Sequence, residues 1–415
     1  MSQHPSTYKL VRVSLADRSY NVQIGAGLLR SLGERVRAAT LGNQTGETPV
    51  APTTIKPGQT PVPPTNFSRA FVVIDDNLPD AFTRPALQSL ADAGFDVTAE
   101  RITALETTKT LDTFQRLLDS LARSRHERLD PVLAIGGGIT GDIAGFVASA
   151  YRRGVPVIQC PTTLLAMVDA SVGGKTGVNG RVGDSLLKNM IGAFWQPRLV
   201  IADIAALESL DDRQFRCGLA ECLKHGLLSC DLDTDLFDWT TDCLERFHCR
   251  DEQALIELVA RNVALKARIV ERDERERAVG PASRILLNLG HTFAHAIETI
   301  PHLSPDNDPA CAPLLHGEAV ALGLVACGAC AVHLGRIDRA ALDWLTKAIA
   351  RAGLPVSVAN LPADDEILAS MGHDKKVAGG KLRFVLPAGP GRATVVDDVP
   401  VEAIKAGLDS IRTPV

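Results

Sequence analysis

Apolar and polar positions alternate on both sides of a short turn in residues 8–24, Tyr-Lys-Leu-Val-Arg-Val-Ser-Leu and then Arg-Ser-Tyr-Asn-Val-Gln-Ile-Gly, which predicts a β-hairpin. A helix is expected near Leu28–Ala39. Residues 40–68 are rich in Pro, Thr, Gly and Asn and poor in large apolar side chains, the pattern of a disordered insertion or surface loop. Order is expected to resume at Arg69-Ala-Phe-Val-Val-Ile-Asp75, a continuous apolar run of the kind buried in a parallel sheet, followed by Asp76 and Asn77. A helix near Pro85–Gly94, a strand near Val97–Glu100 and a helix opened by Glu106-Thr-Thr-Lys109 come next. Pro131–Gly136, Val155–Cys160 and Leu199–Asp203 read as further buried strands, and from Ala206 on the period is helical almost throughout. The pattern predicts two domains, a Rossmann-like α/β domain over 1–205 and a mostly α-helical domain over 206–415.

Composition narrows the field without choosing a chemistry. Hydrophobic residues make up 45% of the chain and aromatics only 4%, which suits an ordinary aliphatic core. A net charge of −5, with lysines set singly inside motifs, gives no field for nucleic acid, so no nucleic-acid partner is expected. No uninterrupted apolar run reaches about 18 residues, and Met-Ser-Gln-His-Pro-Ser at the start lacks a basic region, so neither membrane attachment nor secretion is expected. Nine cysteines, an odd number scattered through apolar runs, suit reduced thiols in a cytoplasmic protein. Cys327 and Cys330 have redox-motif spacing, but their helical, apolar setting makes them small core residues.

Gly136, Gly138 and Gly141 match the G-x-G-x-x-G spacing between a strand and a helix, where backbone N–H groups approach a pyrophosphate. No acid stands about 20 residues downstream to hold a ribose; Asp75, from an earlier strand, is expected to serve, which makes a variant dinucleotide site. The competing reading is tight strand-to-helix packing alone. Gly173-Gly174-Lys175-Thr176 resembles a phosphate loop, but Asp169 stands where glycine is required and the strand-to-helix setting is missing. Thr162 and Thr163 pair their hydroxyls after a strand, and a short loop is expected to carry Lys188 and Asn189.

In the helical half, His291 and His295 stand four apart in the helix-like run Arg284–Glu298 and share one face. With Arg284 and Asn288 they form one polar stripe in an apolar segment. His316 follows in Leu-Leu-His-Gly-Glu, and Glu221 precedes in another helical run. One carboxylate and two or three imidazoles suit a borderline divalent cation such as zinc with one coordination position open. Isolated helix histidines are more often satisfied by core hydrogen bonds, yet polar groups are not buried together without a reason. The run Arg261-Asn262-Val-Ala-Leu-Lys266-Ala-Arg268 reads, taken alone, as a solvated helix face.

The blocks Gly136–Asp142, Pro161–Lys175, Lys188–Pro197, Gly218–Gly226, Asp273–Glu276, Leu287–Glu298, Leu315–Glu318 and Asp374–Val377 together resemble the 3-dehydroquinate synthase family, over residues 8–39 and 69–410. The resemblance implies a homodimeric lyase of the shikimate pathway that uses NAD and a divalent metal, zinc or cobalt. Its sugar phosphate substrate, 3-deoxy-D-arabino-heptulosonate 7-phosphate, becomes 3-dehydroquinate and phosphate through transient oxidation, elimination, re-reduction, ring opening and internal aldol closure. By the same resemblance Glu221, His291 and His316 hold the metal. NAD falls to Asp75, Asn77, Glu106, Lys109, the turn Gly138-Ile139-Thr140-Gly141-Asp142, Thr162, Thr163 and Ser209, with Lys175 and Lys188 also near it. His295 and Glu276 handle protons, while Lys175, Lys224, Lys266, Arg284 and Asn288 meet the reacting substrate. Asp169, Asn189 and one of Lys375 and Lys376 bind substrate, and Arg153 reaches the partner subunit's phosphate site.

Three departures from the family pattern stand out: a longer segment Asn179–Lys188 with Leu187 in a glycine's place, extra residues about Val279–Ala282, and Leu105 for a glycine. Rival readings are a sister cyclase acting on sedoheptulose 7-phosphate, which would lack the Arg284, Asn288 and His295 set, a metal-dependent polyol dehydrogenase, and a noncatalytic NAD- or zinc-binding protein.

Overall fold

The computed structural model describes residues 8–41, 69–182, 185–229, 232–278, 280, 283–306, 308–373 and 383–413. Of the insertion expected over 40–68, residues 40 and 41 belong to the helix Leu32–Leu41 and residues 42–68 lie outside the described residues, as do Lys375 and Lys376. The chain divides into two compact units, Met1–Ser209 and Leu210–Val415.

The strands of the first unit are β1 (Lys9–Val13), β2 (Tyr20–Gly25), β3 (Arg69–Asp75), β4 (Asp96–Ile102), β5 (Val132–Gly136), β6 (Val157–Pro161), β7 (Lys175–Val182), β8 (Ser185–Phe194) and β9 (Leu199–Asp203). A seven-stranded sheet runs in the order β1-β2-β9-β6-β5-β3-β4. The expected hairpin of β1 and β2 supplies the one antiparallel pair of this sheet among the described residues, and β2 then joins β9 in parallel. Helices α1 (Leu32–Leu41) and α2 (Asp80–Asp92) cover one face, α3 (Leu111–Arg123) and α4 (Gly138–Ala150) the other. The apolar runs sort themselves by period two: Ala70, Val72, Ile74, Leu133 and Ile135 enter the α1–α2 core, while Phe71, Val73, Val132 and Ala134 enter the α3–α4 core. Such two-faced burial is why the central strands show no polar alternation.

One expectation fails here. Lys188 and Asn189 do not lie on a short loop but within β8 of a separate antiparallel β7–β8 hairpin. Gly177 and Gly192 let the two backbones close up, since a side chain at Gly177 would meet the Ile191 carbonyl oxygen at 2.6 Å. Glycine, lysine and asparagine in these strands hide the alternation that marks a hairpin.

The second unit holds α5 (Asp212–Gly226), α6 (Leu236–Asp242), α7 (Leu244–His248), α8 (Glu252–Arg272), α9 (His291–Glu298), α10 (His316–His333), α11 (Arg339–Arg351), α12 (Asp364–His373) and α13 (Val401–Ile411), with a small hairpin of β10 (Arg383–Pro387) and β11 (Ala393–Asp397). Helix α10 is its spine, packed against α5, α9, α11 and α13. It is long and apolar enough to cross a membrane by composition, yet 78% of it is buried inside the unit. A helix apolar on every side is what such a central position requires. Cys327 and Cys330 lie on it, both buried and in no disulfide.

Two further corrections concern this unit. Arg284–Glu298 is not one helix: a 3₁₀ turn over Arg284–Asn288 ends before α9, so Arg284 and Asn288 do not share a helix face with the histidines. The break sits at Gly290, whose φ is 82° and whose missing side chain lets Leu324 of α10 approach; an added Cβ would lie 3.1 Å from it. Nor is the run about Lys266 a solvated face. Asn262 and Lys266 are buried on α8, and Arg261 lies over Trp239 with its guanidinium bonded to Asp233 and Asp235.

Gly290→Ala combines a left-handed backbone with that close approach and is expected to destabilise the protein by about 2 kcal/mol. A fall in the urea midpoint at unchanged slope would register this; an unmoved midpoint would show that the turn accepts a side chain.

Candidate active site

Glu221 is fully buried on α5, His291 opens α9 and His316 opens α10. Nε2 of His291 lies 3.7 Å and Nε2 of His316 3.5 Å from Glu221 Oε1, and the three donor atoms all fall within 4.8 Å of one another. Donors each about 2.0 Å from a tetrahedral ion stand roughly 3.3 Å apart, so a cation of zinc's size fits with small adjustments. The far ring nitrogens have acceptors of their own. His291 Nδ1 is 3.1 Å from the Leu289 carbonyl oxygen, and His316 Nδ1 is 3.3 Å from the Glu298 carboxylate. With Nδ1 engaged by these acceptors, both rings turn Nε2 toward Glu221, the usual orientation of metal-ligating imidazoles.

The two rings differ in charge. Burial, with Lys224 beside it, pushes His291 down to about 3 and keeps it neutral. Burial also lowers His316, but hydrogen bonds to Glu221 and Glu298 outweigh it and push this ring up to about 10. Lys224, fully buried one turn along α5, pairs with the second oxygen of Glu221. His295 stands beside the set, its ring 5.4 Å from His291 and 6.5 Å from His316, and it is exposed.

Elsewhere in the same unit a loop is organised through Asp273. Its carboxylate accepts N–H groups from Arg284 at 3.0 Å and Arg277 at 2.8 Å. Burial would raise its pKa, but the backbone donors outweigh that and hold it below the usual range. Arg284 is buried, with Nη1 donating to the Glu274 carbonyl at 3.0 Å. Glu276 takes a left-handed conformation (φ 56°), and Asn288 Nδ2 reaches its carboxylate at 3.5 Å. Lys266, 4% exposed, is a buried cation of the same unit.

In the first unit the predicted residues collect at the carboxyl ends of the parallel strands. Asp75 ends β3 and accepts from Asn77 N at 3.0 Å and Asn77 Nδ2 at 3.1 Å; burial nonetheless raises its pKa. Gly136 ends β5, and α4 starts at Gly138, with Ile139, Thr140, Gly141 and Asp142 in its first turns. A side chain at Gly136 would meet Thr140, and one at Gly141 the Gln159 amide at 2.7 Å, so the packing reading of these glycines holds whatever else they do. Thr162 donates its N–H to the Gly136 carbonyl at 2.9 Å, and Thr163 Oγ1 accepts from Ala166 N at 3.2 Å. Lys175 begins β7 directly after Gly173 and Gly174, which confirms that no helix follows this lysine as a phosphate loop requires. Asp169 lies on the π-helical turn before it.

A second cluster joins Glu106, Lys109, Asp142 and Asn189. Lys109 is buried, with Nζ 2.6 Å from Asp142 Oδ2 and also bonded to Asn189 Oδ1. Its hub is a residue that sequence reasoning passed over. Asn179, 4% exposed at the register shift of the β7–β8 hairpin, donates Nδ2 to the Glu106 carbonyl at 3.0 Å and to Glu106 Oε2 at 2.8 Å, and accepts from Asn189 N at 2.9 Å. Arg153 and Ser209 are exposed, and Ser209 donates to Ala206 O at 3.0 Å. Glu298 was also missed; its signal was its place two turns after His291 on α9.

Two family models match the chain, 3-dehydroquinate synthase N-terminal over residues 100–217 and 3-dehydroquinate synthase C-terminal over 218–377. A 3-dehydroquinate synthase of Cereibacter sphaeroides is 39% identical over 407 residues, covering 97% of this chain and 98% of its own. One of Azotobacter vinelandii is 40% identical over 400 residues, 96% of each chain. Among solved structures, the 2-epi-5-epi-valiolone synthase ValA of Streptomyces hygroscopicus subsp. jinggangensis, with NAD+ and Zn2+ bound, superposes with a TM-score of 0.76 at 28% identity, covering 96% of this chain and 98% of that one.

Because His316 is held protonated in the ion-free cluster, a cation must displace that proton to bind. Affinity for zinc, used as the probe ion, is expected to rise about tenfold per pH unit between roughly pH 7 and 9. Calorimetry in buffers of different ionisation enthalpy would show about one proton released per ion; a pH-independent affinity would contradict the assignment.

Proposed function

The chain belongs to the 3-dehydroquinate synthase family, and from that premise we propose that it converts 3-deoxy-D-arabino-heptulosonate 7-phosphate to 3-dehydroquinate and phosphate, with Glu221, His291 and His316 as its metal ligands. The observation that carries the assignment is the convergence of three donor atoms within 4.8 Å, both imidazoles having their Nδ1 engaged elsewhere. Zinc and NAD+, the pair bound in the valiolone synthase, suit this donor set and the strand-end site. When bound they supply Lewis acidity and a reversible hydride acceptor.

The chain's own residues do the rest. In the second unit, Leu289 and Glu298 fix the imidazole tautomers. His295, exposed beside the ligands, takes and returns protons on its ring nitrogen, and Glu276 does so on its carboxylate. Lys224, Lys266 and Arg284 are buried cations suited to a carboxylate and a departing phosphate, and Asn288 adds a neutral donor. In the first unit, the start of α4 from Gly138 to Asp142 receives the pyrophosphate of NAD, and Asp75 and Asn77 hold a ribose. Glu106, Lys109, Thr162, Thr163, Lys188 and Ser209 complete the NAD contacts on the strength of the family resemblance. Lys175, Asp169, Asn189 and Arg153 rest on it likewise as substrate contacts, as do a cytoplasmic homodimer and the place of Arg153 at the partner's phosphate site.

The sister-cyclase reading is the weaker one: identity to the valiolone synthase is 28%, against 39% and 40% to 3-dehydroquinate synthases over nearly the whole chain.

Purified protein given the heptulosonate phosphate, zinc and catalytic NAD+ is expected to release one phosphate per dehydroquinate with no net NADH. Turnover of sedoheptulose 7-phosphate in its place, or NADH accumulating with product, would overturn the reading. His291→Ala is expected to lose zinc and turnover together. Lys266→Ala should keep zinc and lose about 100-fold or more in kcat/KM. Asn179→Ala should raise KM for NAD+ about tenfold while zinc affinity stays put, because it frees Glu106 and Asn189 from their common anchor.

A further inference from the structure

We propose that Arg213 and Glu318 are positioning residues of the metal centre: their ion pair sets where His316 stands. His316 is the first residue of α10, so its place depends on how that helix begins. Glu318, 4% exposed, turns back so that its Oε2 accepts the Leu315 N–H at 2.8 Å. Arg213 reaches over from α5 and grips both carboxylate oxygens, Nε to Oε1 at 2.7 Å and Nη2 to Oε2 at 2.8 Å. The same Nη2 donates to the carbonyls of Cys311 at 2.6 Å and Pro313 at 3.1 Å. One guanidinium therefore fastens both the chain that leads into α10 and its first turn.

The helix that supplies Arg213 also carries Glu221, about two turns further on. Thus α5 provides one metal donor and positions another. The two helices must approach closely for this to work, and Gly317 allows it, since a side chain there would run into the backbone of Cys217 on α5. Glu318 is not among the donors that gather around Glu221, so its buried charge is engaged in fixing geometry and not in holding the ion. A planar bidentate fork specifies direction as well as distance, which a lysine cannot do.

The inference rests on the metal site proposed above, and its test separates the two. Zinc dissociation constants would be measured on the full chain by competition with a chromophoric chelator, together with melting of the ion-free protein and kcat at saturating zinc. Arg213→Met, which keeps the aliphatic stem, is expected to weaken zinc binding about 10- to 100-fold, with kcat largely recovered at saturating zinc. Arg213→Lys should fall between it and the wild type. Should Arg213→Met fail to fold, Glu318→Gln, which keeps an oxygen for the Leu315 N–H, decides the matter by the same measurement. A lowered melting temperature with wild-type zinc affinity would overturn the positioning role. If His291→Ala loses zinc while neither variant does, this inference alone falls; if His291→Ala binds zinc like the wild type, the metal site falls and takes the inference with it.

Discussion

A carboxylate with no exposed surface is the constraint from which the second unit's architecture follows. Glu221 is charged and buried, and an isolated charge in that position is not tolerated; it must be paired, hydrogen-bonded or bound to a cation. The chain meets this by bringing positive or cation-binding groups from three helices to the same point, Lys224 from α5 itself, His291 from the start of α9 and His316 from the start of α10. With a proton on each ring nitrogen, His316 spans Glu221 through Nε2 and Glu298 through Nδ1. A divalent ion at the proposed site would take the place of the Nε2 proton and satisfy the same Glu221 carboxylate. The proposed functional centre and a potential instability are therefore one feature.

Precision at that point comes from helix starts. Two of the three proposed ligands are first residues of their helices, positions where one backbone turn decides the direction of the side chain. Gly290 makes the turn before His291 and permits contact with α10; Gly317, just after His316, permits contact with α5. Arg213 and Glu318 then fix the second start with charge-assisted hydrogen bonds. The apolar body of α10 anchors this arrangement because every side of it is packed.

The first unit solves a different problem, presenting polar groups at the ends of strands whose bodies are buried. Strands β5, β6 and β9 are buried along their length, and the one polar side chain within them short of the ends, Gln159 of β6, is bonded to the Gly141 carbonyl. Asn179 extends the principle to a hairpin. A register shift puts it inward, where one amide serves both Glu106 and Asn189. An amide matches such a mixed donor and acceptor task, which a carboxylate or an amine alone cannot perform.

What the sequence by itself determined were the properties that repeat locally. Continuous apolar runs marked the parallel strands, a change of period at Ala206 marked the helical half, helical spacing marked His291 with His295, and donor type added Glu221 and His316 as candidates. The β7–β8 hairpin escaped because Gly177, Gly180 and Gly192 have no side chains with which to show alternation. The polar stripe through Arg284 was interrupted by Gly290, whose left-handed turn has meaning only against Leu324. Lys266 looked solvated because its neighbours are charged, and its burial depends on what packs against α8. Arg213 gave no local sign at all, since its partner lies 105 positions away. Periodicity is a property of neighbours along the chain, whereas hydrogen bonds, close backbone approach and burial are properties of neighbours in space; the first chose the elements, and only the second decided which of their polar groups act together.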